Sequence, residues 1–281
     1  LILKGWIDEK RKDTSNPELI ILRTEYSPSE VINFGLNRFS MYGGEGLNGF
    51  KIWEYPKMLI GSEENIPGSK YDTDGYFGYD ISLNLKKYIK KFDSFKLYYQ
   101  QIGTDIQAFW QKEDRGKIYF PWIVKLTLNS YQGGIEIKDK NSKYNLEFTS
   151  VNDLFYIHHY YRIEGYTYHG FSLGYPYGRY LQSIQFQQKI SKNGLDIFKY
   201  STGWFKQPSS YKPRENIKEK INKYYLESEY TFPLRKNINL SFYSRFEYSN
   251  NYDRDQNPMQ FDISNSNKLF VIAGITTKIT F

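Results

Sequence analysis

Apolar and polar residues alternate with period two along most of the chain, and helical spacing is nearly absent. Period two marks a strand, because successive side chains leave opposite sides of the pleat. The clearest case is 268–281. Leu269, Val271, Ala273, Ile275, Thr277, Ile279 and Phe281 share one face; Phe270, Ile272, Gly274, Thr276, Lys278 and Thr280 share the other. In 238–248, Ile238, Leu240, Phe242, Phe246 and Tyr248 oppose Asn239, Ser241, Tyr243, Arg245 and Glu247. In 76–85, Phe77, Tyr79, Ile81, Leu83 and Leu85 oppose Gly78, Asp80, Ser82 and Asn84. The same rule predicts strands at 1–8 (partial), 17–26, 31–39, 95–102, 143–151, 180–190, 195–204 and 221–232. One long strand is expected over 122–138, kinked or bulged at Gly133 and Gly134. Asn193-Gly194 is a hairpin turn of the two-residue type.

The connections sort by length. Counted back from Phe281, long ones (249–267, 205–220, 152–179, 103–120, 40–74) alternate with short ones around 233–237, 192–194, 139–142, 86–94 and 27–30. A soluble sandwich, the alternative for any single strand, has no reason to obey that parity. An outer-membrane barrel does, with long external loops and short periplasmic turns. The fold class expected is therefore all-β, an antiparallel transmembrane β-barrel of the bacterial outer membrane, with about twelve strands. Residues 1–281 read as one barrel domain, amino-terminally truncated and part of a larger barrel. Phe281 falls on the periplasmic side, and the strand at 1–8 is a doubtful partner for the closing one.

Composition changes this picture little. The 28 Tyr, 20 Phe and 5 Trp suit a surface half apolar and half wet, such as a membrane interface or a sugar-binding face. The absence of Cys excludes disulfides and thiolate metal sites. The net charge of +7 comes from scattered Lys and Arg without a nucleic-acid motif, so no nucleic acid is expected as a partner. No apolar run approaches the ~18 residues of a membrane helix, which leaves barrels untouched.

Several short motifs lie at the outer strand ends. Phe34-Gly35-Leu36-Asn37-Arg38-Phe39 runs into Tyr42-Gly43-Gly44-Glu45-Gly46. Ile102-Gly103-Thr104-Asp105, Glu147-Phe148-Thr149, Gly165-Tyr166-Thr167-Tyr168-His169-Gly170 and Leu173-Gly174-Tyr175-Pro176-Tyr177-Gly178 follow in order. Their order and spacing resemble the capsule-assembly outer-membrane proteins of the Wzi type, across roughly 31–194. The resemblance implies a monomeric outer-membrane barrel that binds capsular polysaccharide and helps attach it to the cell surface, without catalysis and without a cofactor. Outer-membrane lipid would surround it.

Sugar rings offer apolar C–H faces and peripheral hydroxyls, which flat aromatic rings with amide or charged neighbours recognise. The candidate polysaccharide-binding residues are Arg38, Glu45, Trp53, Arg162, Tyr166, Tyr168, Tyr175, Tyr177 and Arg179. Arginine suits an acidic capsule because its fork matches a carboxylate. For each aromatic, a place in the interfacial girdle is the competing reading. The Gly43–Gly46 stretch serves equally as a tightly packed loop or a ligand contact. A passive channel with a polar lumen is the alternative function. A barrel hydrolase is disfavoured, because His169 and Ser172 lack the spacing and the following Asn-Gly of barrel phospholipases. Adjacent His158 and His159 point apart on a strand, and Glu63, Glu64, Asp72 and Asp74 read as a solvated loop, so no metal is expected.

Overall fold

A computed structural model describes residues 1–8, 10–12, 14–59, 69–71, 73–103, 106–108, 124–126, 129–152, 167–168, 171–172, 181–192, 194–208, 220–235, 238–252 and 266–279. The strands are β1 (Ile2–Trp6), β2 (Glu18–Tyr26), β3 (Ile32–Tyr42), β4 (Asp74–Asn84), β5 (Ser94–Gly103), β6 (Ile106–Ala108), β7 (Val124–Leu126) and β8 (Ser130–Asp139). They continue as β9 (Ser142–Val151), β10 (Thr167–Tyr168), β11 (Phe171–Ser172), β12 (Leu181–Lys192), β13 (Leu195–Pro208), β14 (Lys220–Arg235), β15 (Ile238–Tyr252) and β16 (Ser266–Ile279). A 3-10 turn, Ile52–Glu54, leads into the short helix α1, Tyr55–Leu59.

Twelve strands form one sheet in the order β1-β2-β3-β4-β5-β8-β9-β12-β13-β14-β15-β16, while β6–β7 and β10–β11 pair separately. The sheet strands therefore follow chain order throughout, with β6–β7 and β10–β11 set into the connections after β5 and β9, the expected meander of about twelve antiparallel strands. β1 and β16 stand at the two ends of that order. The expected strand over 122–138 divides. Ser130–Asp139 joins the large sheet, whereas Val124–Leu126 pairs with Ile106–Ala108 in a sheet of two. Alternation reports extended backbone and not its partner, so the pattern runs through the break. Gly134 allows a close approach: a Cβ there would sit 2.5 Å from Tyr98 Oη. Two further departures fall in stretches read as loop, the Ile52–Leu59 helical turns and the Tyr168–Phe171 hairpin.

The chain divides into two compact units. One comprises Leu1–Ile81, Tyr99–Tyr131 and Val151–Tyr180; the other comprises Ser82–Tyr98, Gln132–Ser150 and Leu181–Phe281. In the second, register fixes what each face carries. One face has the rows Gln185–Gly203–Tyr225–Glu247, Gln187–Ser201–Glu227–Arg245 and Lys189–Lys199–Glu229–Tyr243. The opposite face has Ile184–Trp204–Tyr224–Tyr248–Leu269, Phe186–Thr202–Leu226–Phe246–Val271 and Ile190–Phe198–Tyr230–Phe242–Ile275. Leu226, Phe246, Leu269, Val271 and Ile275 are exposed on this apolar face. Aromatic rows edge the band above and below. Along β14 they lie six residues apart, roughly 20 Å of strand. Apolar rows flanked by aromatic ones are the pattern of a lipid-facing surface between girdles. Ser228 and Ser244, between the girdles, satisfy each other through a 2.8 Å hydroxyl pair.

In the first unit, β1–β3 repeat the two-faced pattern. Tyr26, Phe34 and Leu36 are exposed on the apolar face, and Arg23, Glu25 and Asn37 lie on the other. At one end of the apolar face, Ile20, Tyr42 and Met58 form a buried cluster under the loop, with Phe50 and Tyr55 packed against it.

Candidate functional site

Arg23 organises the charged face of the first unit. Its Nη1 and Nη2 donate to Asp80 Oδ2 and Oδ1 at 2.8 and 3.2 Å, a two-pronged pairing that suits a planar fork. Nη1 also donates to Asn37 Oδ1 at 2.6 Å, and Nε to Glu25 Oε1 at 2.7 Å. Asn37 Nδ2 closes the ring on Asp80 Oδ2 at 3.0 Å. A Cβ at Gly35 would run into the Asp80 carboxylate, so glycine here makes room for the acid. Further along this face, Phe39 stacks on Tyr76 with centroids 4.8 Å apart, and Met41 and Tyr76 are fully buried.

The second unit carries a longer ladder. Arg245 donates to Glu227 at 3.0 Å and Glu247 at 2.9 Å, with its guanidinium 4.9 Å from the Tyr225 ring centre. Tyr225 in turn stacks on Phe205 and donates its hydroxyl to Gln185. Gly203 leaves space for the ring, since a Cβ there would lie 2.6 Å from Tyr225 Cε1. Lys199 pairs with Glu229 at 3.0 Å. A cavity of ≈ 140 Å³ opens among Gln187, Lys189, Lys199, Ser201, Glu227 and Glu229. On β5 of the same unit, Tyr98 Oη donates to Glu147 at 2.8 Å. Carboxylates, cations, amides and flat rings thus alternate across one wall. Such a wall suits hydroxyl-rich ligands, because each group accepts, donates or covers an apolar ring face.

The sequence-derived candidates scatter. Arg38 is 3% exposed on the apolar face, in the parity of Phe34 and Leu36, and its Nη2 donates to the Met58 carbonyl at 3.3 Å. Glu45 is exposed, its N–H bonded to the Ser15 carbonyl at 2.8 Å. Gly44 has φ +100, and a Cβ there would meet Ser15 O at 2.8 Å, which gives the Gly43–Gly46 stretch its packing role. Trp53 is exposed, with Lys51 Nζ 5.3 Å from its ring. Tyr168 lies in β10. Arg162, Tyr166, Tyr175, Tyr177 and Arg179, like Glu63, Glu64 and Asp72, lie outside the described residues; Asp74 is buried at the start of β4. Among the described residues, no group of three or more His, Cys, Asp or Glu could hold a metal ion. The Arg23–Asp80 and Arg245–Glu227 networks were absent from the sequence-derived candidates. Their only signal is parity: each member alternates with the apolar positions of its strand.

A meander of antiparallel strands in chain order, apolar on one face and charged on the other, is the sheet of a membrane-spanning β-barrel. The family model described as "Capsule assembly protein Wzi" matches residues 2–262, and the chain belongs to that family. It is similar to a solved structure from Escherichia coli, Wzi, described as an outer-membrane protein involved in group 1 capsule assembly and as a carbohydrate-binding β-barrel. The TM-score is 0.64 at 17% identity, over 95% of this chain and 53% of that one. The present chain therefore spans about half the length of the structure it matches. No curated protein matches it.

Proposed function

We propose that this chain sits in the bacterial outer membrane, binds capsular polysaccharide and helps hold or assemble it at the cell surface, as a monomer and without catalysis. The supporting observation is the two-faced register, a lipid-compatible band on one side and a wall of paired charges, amides and rings on the other. Family membership supports the capsule as the ligand's source. The long connections form the outer end, where Glu45, Arg162, Tyr166, Tyr168, Tyr175, Tyr177 and Arg179 would meet the polymer. Replacing Arg162 and Arg179 together with Ala should lower capsule retention about tenfold or more, since charged hydrogen bonds contribute about 1.5–3 kcal/mol each. Unchanged retention by a correctly inserted variant overturns the assignment. The polar, charged face opposite the lipid-compatible one supports a second reading, a passive channel with a polar lumen. Large, steady single-channel currents in planar bilayers would support it against the binding role.

A further inference from the structure

The apolar face of β1–β3 does not end where its hydrophobic residues do. Its register rows are Tyr26 with Phe34, Thr24 with Leu36, then Ile2–Leu22–Arg38, Lys4–Ile20–Ser40 and Trp6–Glu18–Tyr42. At the last rows the 51–59 segment lies against this same face. Met58 is buried there with Ile20 and Tyr42, Arg38 holds the Met58 carbonyl, and Lys4 Nζ donates to Tyr55 Oη at 3.0 Å. The segment turns its largest apolar groups outward: Ile52 is 76% and Trp53 70% exposed, beside Trp6 at 65%. Cations accompany each ring. Lys51 lies over Trp53, Lys4 over Trp6 and Lys57 over Tyr71, all with Nζ 5.2–5.3 Å from the ring centre. The carboxylate of Glu54 is bound by Lys70.

Exposed tryptophan and isoleucine with flanking lysines, on the face that continues the lipid band, are an interfacial combination. Indole rings favour the headgroup level, and Lys carries its charge to the water side. We propose that residues 51–57 together with Trp6 form an anchor for anionic lipid headgroups. Ile52 and Trp53 enter the boundary between headgroups and acyl chains, and Lys51 and Lys57 bind headgroup phosphates. This assigns Trp53 to lipid instead of polysaccharide, because it shares the apolar face and not the charged one. The proposal rests on the membrane-spanning reading.

The test uses the full chain in vesicles whose lipids are brominated near the headgroup. One variant retains Trp53 alone, with Trp6, Trp110, Trp122 and Trp204 changed to Phe; a second retains Trp204 alone. Trp53→Phe in the unaltered chain reports the same site by difference if either fails to insert. Trp204, within the aromatic row of the spanning face, should be quenched in any vesicle; if it is not, the membrane reading itself fails. Trp53 should be quenched as well, about twofold more in phosphatidylglycerol than in phosphatidylcholine vesicles, as expected for two lysines near an anionic surface. Lys51→Gln with Lys57→Gln should abolish that difference. A quenched Trp204 beside a water-like, unquenched Trp53 overturns the anchor. So does a Trp53 whose emission responds to capsular polysaccharide and not to lipid.

Discussion

Asp80 and Gly35 act as one unit. The carboxylate occupies the space a Cβ at position 35 would need, and from there grips Arg23. Asp80→Ala should cost about 2 kcal/mol, between an exposed ion pair and a buried one, because Arg23 and Asp80 remain partly accessible. Gly35→Ala should cost about 1–3 kcal/mol by overpacking, but less than about 1 kcal/mol once Asp80 is already Ala. Urea unfolding in detergent checks the cycle, and strictly additive losses would refute the coupling. Asp80 could not be matched to Arg23 from the sequence, where 57 positions separate them. Arg38 is the opposite case. Its parity with Phe34 and Leu36 already put it on the apolar face, and the motif that drew attention to it said nothing of the Met58 carbonyl.

Strands were legible wherever both faces differ in kind. β15 shows this best, since Leu240, Phe242 and Phe246 alternate with Ser241, Tyr243, Arg245 and Glu247. What alternation cannot supply is a partner, and so it predicts a single strand over 122–138. The apolar rows make a direct prediction. Val271→Arg, between the two aromatic rows, should weaken folding in vesicles by about 1–4 kcal/mol. A cost within about 0.5 kcal/mol would remove the lipid from that face. The 3-10 turn was not legible, because three residues leave no periodicity. It is held by Glu54, which accepts from Lys70 Nζ at 2.6 and 2.8 Å and from the Lys51 N–H at 2.8 Å. Lys70 first, then the Lys51 N–H, lowers the Glu54 pKa below the ordinary 4.5. A lowered carboxylate value means the support is complete above 4.5 and is lost as pH falls through the folded value. Protease nicking within 43–59 should therefore rise on acidification below 4.5, and Glu54→Gln should flatten that profile. A profile unchanged in Glu54→Gln would assign the effect to another group.

At the scale of the whole chain, parity of connections carried most of the reading. Among sheet neighbours, 27–31, 85–93, 140–141, 193–194 and 236–237 are short, while 7–17, 43–73, 104–129, 152–180, 209–219 and 253–265 are longer, in strict alternation. An epitope inserted within 209–219 or 253–265 should be labelled on intact cells, whereas one placed at 236–237 should not. Labelling at both sites would reverse or abolish the sidedness. The candidate polysaccharide contacts were not legible in the same way, since a tyrosine suits a girdle and a sugar with the same ring. The strand order also has a kinetic meaning. Because the strands of the large sheet pair in chain order, each pairing waits for a single intervening connection and none for a strand further along. The entropy of closing a connection grows only as its logarithm, so the long loops, though nearly threefold different in length, differ by about 1 kcal/mol. The sheet can thus assemble hairpin by hairpin, with β14–β15 and β12–β13 free to close first across their two-residue turns. The long connections can lengthen or change sequence at little cost to the rate at which the sheet forms.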